Sequence, residues 1–139
     1  MKTFFQIVVI GLLMIGCKDK TVVSKTPEST SASLEIVNKR MAYYNQHNFE
    51  EFIKLYSKDV KVYTYPNTLL GTGTENISSI FKPKFASKSI QVEIINQIDN
   101  GSHVINHEIV SEGNTQTKYV SIYEVQDGLI TSVRFVRDN

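Results

Sequence analysis

The sequence predicts an α+β fold, and three observations carry that prediction. Apolar residues recur at helical spacing between residues 33 and 81, broken by one strand-like run. Strand alternation fills the chain beyond Ile90, and short glycine-bearing loops separate the later alternating runs. Helices first and strands afterwards do not give the repeated strand–helix order of a parallel doubly wound sheet.

Each element follows from its own residues. Leu34, Val37, Met41 and Tyr44 fall on one face of a first helix, with Ser33 as its expected N-cap. A second helix opens at Asn48, whose side chain can cap while Glu51 occupies the N3 position. Phe49, Phe52, Ile53 and Tyr56 form its apolar stripe. Asp59–Tyr65 alternates as a strand, and Pro66-Asn67 turns the chain. Thr72-x-x-Glu75 reads as a capping box for a short helix carrying Ile77, Ile80 and Phe81, which Pro83 should end or kink. Four strands then follow, beginning at Ile90, His103, Lys118 and Leu129, and their short loops imply an antiparallel meander.

The last hairpin decides which side chains share a face. A two-residue Asp127-Gly128 loop would pair Val125 with Ile130 and Ser121 with Arg134. A three-residue Gln126-Asp127-Gly128 loop would pair Ser121 with Val133, and this is the preferred reading. It places Tyr119, Ser121, Tyr123 and Val125 with Leu129, Val133 and Phe135 on one face. Val120, Ile122, Ile130 and Val136 then share the other, and both faces are too apolar to leave in water.

The 139 residues suit one domain, with 41% hydrophobic and 21% charged side chains. The first sixteen read as an export signal: Lys2, an apolar run from Phe4 to Ile15 shorter than the ~20 residues of a membrane span, then Gly16. Their loss would remove only Lys2, leaving basic and acidic side chains equal at 14 each. That balance excludes the concentrated positive field that nucleic-acid binding needs. Cys17 is the only cysteine, so no disulfide can form within one chain.

Leu13-Met14-Ile15-Gly16-Cys17 resembles the lipobox of bacterial lipoproteins. The resemblance implies cleavage before Cys17, lipid on its thiol and a membrane partner; each buried methylene contributes ~0.8 kcal/mol to such an anchor. Residues 17–32, rich in Ser, Thr and Lys, are expected to be a flexible tether to a domain over 33–139. Asp19 does not directly follow the cysteine. The retention signal for the inner membrane is therefore absent, and the expected address is the outer membrane of the cell envelope.

The stretch Asn45-Gln46-His47-Asn48-Phe49-Glu50-Glu51-Phe52-Ile53-Lys54-Leu55-Tyr56-Ser57-Lys58-Asp59-Val60 resembles the opening of nuclear transport factor 2-like proteins of the SnoaL-like kind. Gly71-Thr72 and Val125-x-Asp127-Gly128-x-Ile130 also match. The resemblance covers about residues 33–138. It implies a cone in which a curved antiparallel sheet wraps about three helices around a pocket. It does not imply one reaction, since relatives include isomerases, cyclases, dehydratases, hydrolases and plain ligand binders. Carrying over ketosteroid-isomerase-like roles puts the tyrosine donor at Arg40, the carboxylate base at Tyr65 and the neutral acid at Ser121, so neither carboxyl is matched.

The same alignment puts Ile105, His107 and Ile109 on the concave side and Glu108 and Arg134 on the outer face. Arg40, Tyr44, Tyr63, Tyr119, Ser121 and Tyr123 join His107 as the expected ligand-binding residues, with Tyr65 at the rim. His107 is the best catalytic candidate, because imidazole titrates near neutral pH. Arg40 is a candidate holder of a ligand carboxylate. His47 and His103 read as solvated. Three histidines without ligand spacing predict no metal site, and no cofactor is expected. The leading functional reading is a lipid-anchored envelope protein whose pocket domain binds a small amphipathic ligand or serves as an accessory module. The alternatives are a SnoaL-like enzyme (isomerase, cyclase or hydrolase) using His107 and a pocket tyrosine, and a structural module acting through the outer sheet face. A homodimer is expected through Val120, Ile122, Ile130 and Val136.

Overall fold

The computed structural model describes residues 30–137. The expected signal peptide, the expected lipid attachment at Cys17 and nearly all of the expected tether therefore lie outside the described residues. Helices α1 (Ala32–Gln46) and α2 (Phe49–Ile53) lead into strands β1 (Tyr56–Thr64) and β2 (Thr68–Thr72). Helix α3 (Gly73–Ala86) follows, and then strands β3 (Ile90–Asn100), β4 (His103–Glu112), β5 (Thr115–Gln126) and β6 (Leu129–Arg137).

Helix ends obey local chemistry, with some corrections to the expected positions. Ser31, not Ser33, caps α1: its Oγ accepts from the Leu34 N–H at 3.0 Å, while Ser33 is buried. The helix stops at His47, whose backbone is left-handed at φ 55°. The His47 ring is not simply solvated, since Nε2 donates to the Ile90 carbonyl at 2.8 Å. Asn48 caps α2 as expected, accepting from Glu51 N–H at 3.2 Å. Thr72 precedes α3 without a side-chain cap bond, and Pro83 lies inside that helix instead of ending it. The helix continues far enough to bury Phe85 in the core.

The six strands form one sheet in the order β2-β1-β6-β5-β4-β3. The β1–β6 pair is parallel and every other pair antiparallel, so the sheet is mixed where an antiparallel one was expected. The α+β cone stands. Strand β2 had no sequence signal, because it is largely exposed and lacks a buried alternation. A bulge between Ile94 and Asn96 in β3, and another opposite Glu124 and Val125, interrupt the ladders. Such insertions bend and twist strands, which suits a sheet that curls over helices.

The core lies between that sheet and the helices. Val37, Met41 and Tyr44 of α1, Phe52 of α2, and Ile77 and Phe85 of α3 meet Val60, Val104, Tyr123, Ile130 and Val133 from the sheet. Phe52 is completely buried and packs on Phe85 with ring centroids 4.9 Å apart. Burying one such ring stabilises the fold by roughly 1.5–3 kcal/mol.

The β5–β6 loop has two residues, not the three that were preferred. Asp127 and Gly128 both take positive φ, 51° and 76°, the geometry of a primed hairpin turn. Val125 therefore faces Ile130. The bulge then leaves Thr131 unpaired and shifts the ladder by one, so that Tyr123 pairs with Val133 and Ser121 with Phe135, not with Val133 or Arg134 as the two loop readings required. Val133 and Phe135 share the inner face as expected. Ile130 joins them, fully buried, while Leu129 is exposed. Ile130 is thus removed from the outer face proposed for dimerisation.

Candidate functional site

A cavity of about 590 Å³ opens between the helices and the inner face of the sheet. Its walls are Phe81, Val92, Val110 and Phe135. Tyr65 and Leu70, both exposed, mark its mouth, together with Lys84, Glu112 and Arg137. Lys84 Nζ and Glu112 Oε2 meet at 2.6 Å and tie α3 to the end of β4. At the inner end stand Arg40, Tyr44 and Glu108, each at most 4% exposed.

Glu108 is the residue that the sequence reading missed. The sequence reading puts it on the outer face and His107 on the inner one; the structure reverses both. Within β4, Val104, Asn106 and Glu108 are buried, whereas His107 is exposed. Hydrophobicity could not decide between these registers. One face of the strand offers Val104 and Val110, the other Ile105 and Ile109. What decides is polar satisfaction, since a buried carboxylate is tolerated only when it is well hydrogen-bonded. Glu108 Oε1 accepts from Ser121 Oγ at 2.6 Å and, more weakly, from Tyr123 Oη at 3.5 Å. Oε2 accepts from Asn106 Nδ2 at 3.3 Å, and Asn106 Oδ1 in turn accepts from Gln97 Nε2 at 2.9 Å.

Arg40 is the opposite charge. Its Nε donates to Tyr56 Oη at 2.7 Å, and its Nη1 contacts Met41 Sδ at 3.3 Å. The guanidinium lies 5.1–5.4 Å from the ring centroids of Tyr44, Phe52 and Tyr123, an aromatic cage for a buried cation. Among the described residues it forms no ion pair with a carboxylate. Burial pulls Arg40 towards neutrality, but Tyr123, Tyr56 and Glu108 outweigh it and hold its pKa above the ordinary value. The tyrosines respond oppositely. Burial pushes Tyr44 up to about 12 and raises Tyr56 and, strongly, Tyr123, with Arg40 opposing in each case. The site therefore holds one fixed cation, one carboxyl group and three phenols that stay protonated at neutral pH.

Of the expected ligand residues, Arg40, Tyr44 and Tyr119 line the cavity, as does Tyr65 at the rim. Ser121 and Tyr123 are fully buried behind it, where they hold Glu108. Tyr63 is on the other face, its ring 4.8 Å from the Arg134 guanidinium. Register explains this: Tyr63 pairs with Arg134, while its inward neighbour Val62 pairs with Val133. No group of three His, Cys, Asp or Glu side chains that could hold a metal occurs among the described residues.

The family model of the SnoaL-like domain matches residues 37–133. The chain belongs to the SnoaL-like family. A comparison with curated protein sequences finds no match. Solved structures with the same fold include an NTF2-like protein of unknown function from Cytophaga hutchinsonii, at TM-score 0.68 and 14% identity over 80% of this chain and 94% of that one. An LEH-like epoxide hydrolase of M. tuberculosis superposes at TM-score 0.64 and 16% identity, over 77% and 83% of the two chains. A computationally designed 17-OHP binder does so at 0.67 and 18%, over 78% and 94%. At these identities the likeness establishes the nuclear transport factor 2-like fold. The chemistry of this SnoaL-like domain has to be read from its own cavity.

Proposed function

We propose that this chain is a lipid-anchored envelope lipoprotein whose SnoaL-like domain binds a small amphipathic ligand. One observation carries the binding half of that reading: a cavity of about 590 Å³ with apolar walls that ends on the buried Arg40 and Glu108. That volume lies within the range of small-molecule sites, and apolar walls with few polar groups at one end suit a ligand with a tail and a head. The anchoring half rests on the apolar leader and Cys17. The test is native mass spectrometry of the protein released from its own envelope. A bound small molecule, lost when Arg40 is replaced, is the expected result; an empty domain after gentle extraction overturns the binding reading. Unchanged size and membrane fractionation in Cys17→Ala overturns the anchor.

A second reading, an enzyme of isomerase or hydrolase type, is favoured by Glu108 and not by His107. A carboxylate inside a cavity is a possible general base, whereas an exposed imidazole on the far face cannot reach a bound substrate. Turnover of an epoxide or enone that is abolished in Glu108→Gln would establish this reading. Dimerisation through the outer face is proposed on Val120 and Ile122, which sit there beside Ile105. Sedimentation showing only monomer at high concentration removes that proposal.

A further inference from the structure

The ligand reading can be taken one step deeper, to the chemistry of the head group. We propose that the cavity selects an uncharged head that offers an acceptor beside a donor, such as a carboxamide, and discriminates against the corresponding carboxylate. This inference rests on the reading of the cavity as a ligand site.

Arg40 by itself would invite an anion, but it does not stand alone. Glu108 shares the inner end of the cavity, and the phenol of Tyr123 is common to both. The Tyr123 ring lies 5.1 Å from the Arg40 guanidinium, and its hydroxyl lies 3.5 Å from Glu108 Oε1. A cationic and a carboxyl side chain thus flank the place where a ligand head would sit. A ligand carboxylate there would meet Arg40 and be repelled by Glu108; an ammonium would meet Glu108 and be repelled by Arg40. Both would also lose their hydration on entering a site whose residues are almost wholly buried. An uncharged head incurs neither cost.

Hydrogen-bonding capacity agrees. Arg40 carries five N–H donors, and only Nε makes a short bond, to Tyr56, apart from the Met41 sulfur contact. Glu108 Oε2 accepts only the long 3.3 Å bond from Asn106. The site thus has unspent donors on one side and an unspent acceptor on the other. A carboxamide presents its carbonyl to the first and its N–H to the second. At the mouth, Lys84 and Glu112 neutralise each other. Arg137 is the remaining charge there, and it is exposed to solvent that screens it.

The test uses three ligands with one apolar body: 2-naphthamide, 2-naphthoate and 2-naphthylmethylamine. Binding to the lipidated chain in nanodiscs is read by naphthalene fluorescence, with empty nanodiscs as the blank. The wild-type protein should bind the amide about tenfold or more tightly than either charged analogue, a difference of about 1.4 kcal/mol. Glu108→Gln removes the negative charge and keeps the shape, so it should tighten naphthoate about tenfold relative to the amide. Naphthoate binding better than naphthamide in the wild type overturns this inference and leaves the cavity a ligand site. A Glu108→Gln ratio equal to the wild-type ratio overturns it too. Binding of none of the three overturns the ligand reading itself. The wild-type ranking needs no variant, so the inference stays testable even if Glu108→Gln does not fold.

Discussion

Ser121 Oγ donates to Glu108 Oε1 at 2.6 Å, crossing from β5 to β4 diagonally within the inner face of the sheet. It is the shortest bond holding the buried carboxylate, and the first prediction concerns its loss. Ser121→Ala should cost about 1–3 kcal/mol, because it leaves a buried acceptor underserved. Urea unfolding followed by circular dichroism measures this.

Arg40→Met keeps the bulk of the side chain and deletes its charge. It also removes the bond to Tyr56 and leaves Glu108 without its compensating cation. Losing the buried hydrogen bond and the nearby cation should destabilise the fold by about 1–3 kcal/mol. Adding Glu108→Gln should recover part of that loss. Strict additivity in the double-mutant cycle would show the two charges to be uncoupled.

Alkaline pH should separate the tyrosines. Tyr44, Tyr56 and Tyr123 have raised pKa values in the fold, with Tyr44 at about 12, against an ordinary value of 10.0. A raised folded pKa means that their stabilising contribution is complete below pH 10 and lost as pH climbs through the folded values. Tyrosinate absorbance should therefore rise incompletely above pH 10 and finish only as near-ultraviolet dichroism collapses. A single complete step before unfolding would contradict the burial of these phenols.

Gly71→Ala should destabilise through sterics alone. A methyl at Gly71 would overlap the side chain of Asn76, whose Oδ1 is buried without a hydrogen-bond partner among the described residues. Forcing a group into such a contact costs about 1–3 kcal/mol. Gly71→Ala combined with Asn76→Ala should melt higher than Gly71→Ala alone.

His107→Ala is the control that sequence reading would not have chosen. The side chain is exposed on the outer face, so stability should change by less than about 0.5 kcal/mol. Affinity for any cavity ligand should not change. A large loss of binding would return His107 to the site.

These predictions turn on how legible each residue was. Helix positions were readable because Val37, Met41 and Tyr44 repeat at one spacing and are all buried. The family pattern around Phe52 and Tyr56 located the first helices and strand, and Arg40 and Tyr44 followed onto the cavity. The β4 register was not readable from apolar residues, which populate both faces equally; hydrogen bonds from β5 side chains settle it, and these appear only once the strands are aligned. The bulge at Thr131 is similarly silent in sequence: one unpaired residue moves Ile130 inward and leaves Val133 where it was expected. The site lay where the polar residues broke the alternation, as functional positions often do.

The parallel pairing of β1 with β6 sets the order in which the domain can assemble. Tyr56 of the first strand lies beside Ile130 of the last, and Thr64 beside Phe135. Closing so long a loop is entropically slow, and sheets built on distant partners fold late. A chain that emerges amino end first, as in synthesis, cannot complete this sheet until the residues of β6 are out. The cavity, which Phe135 of β6 helps to wall, therefore exists only once the two distant strands have met.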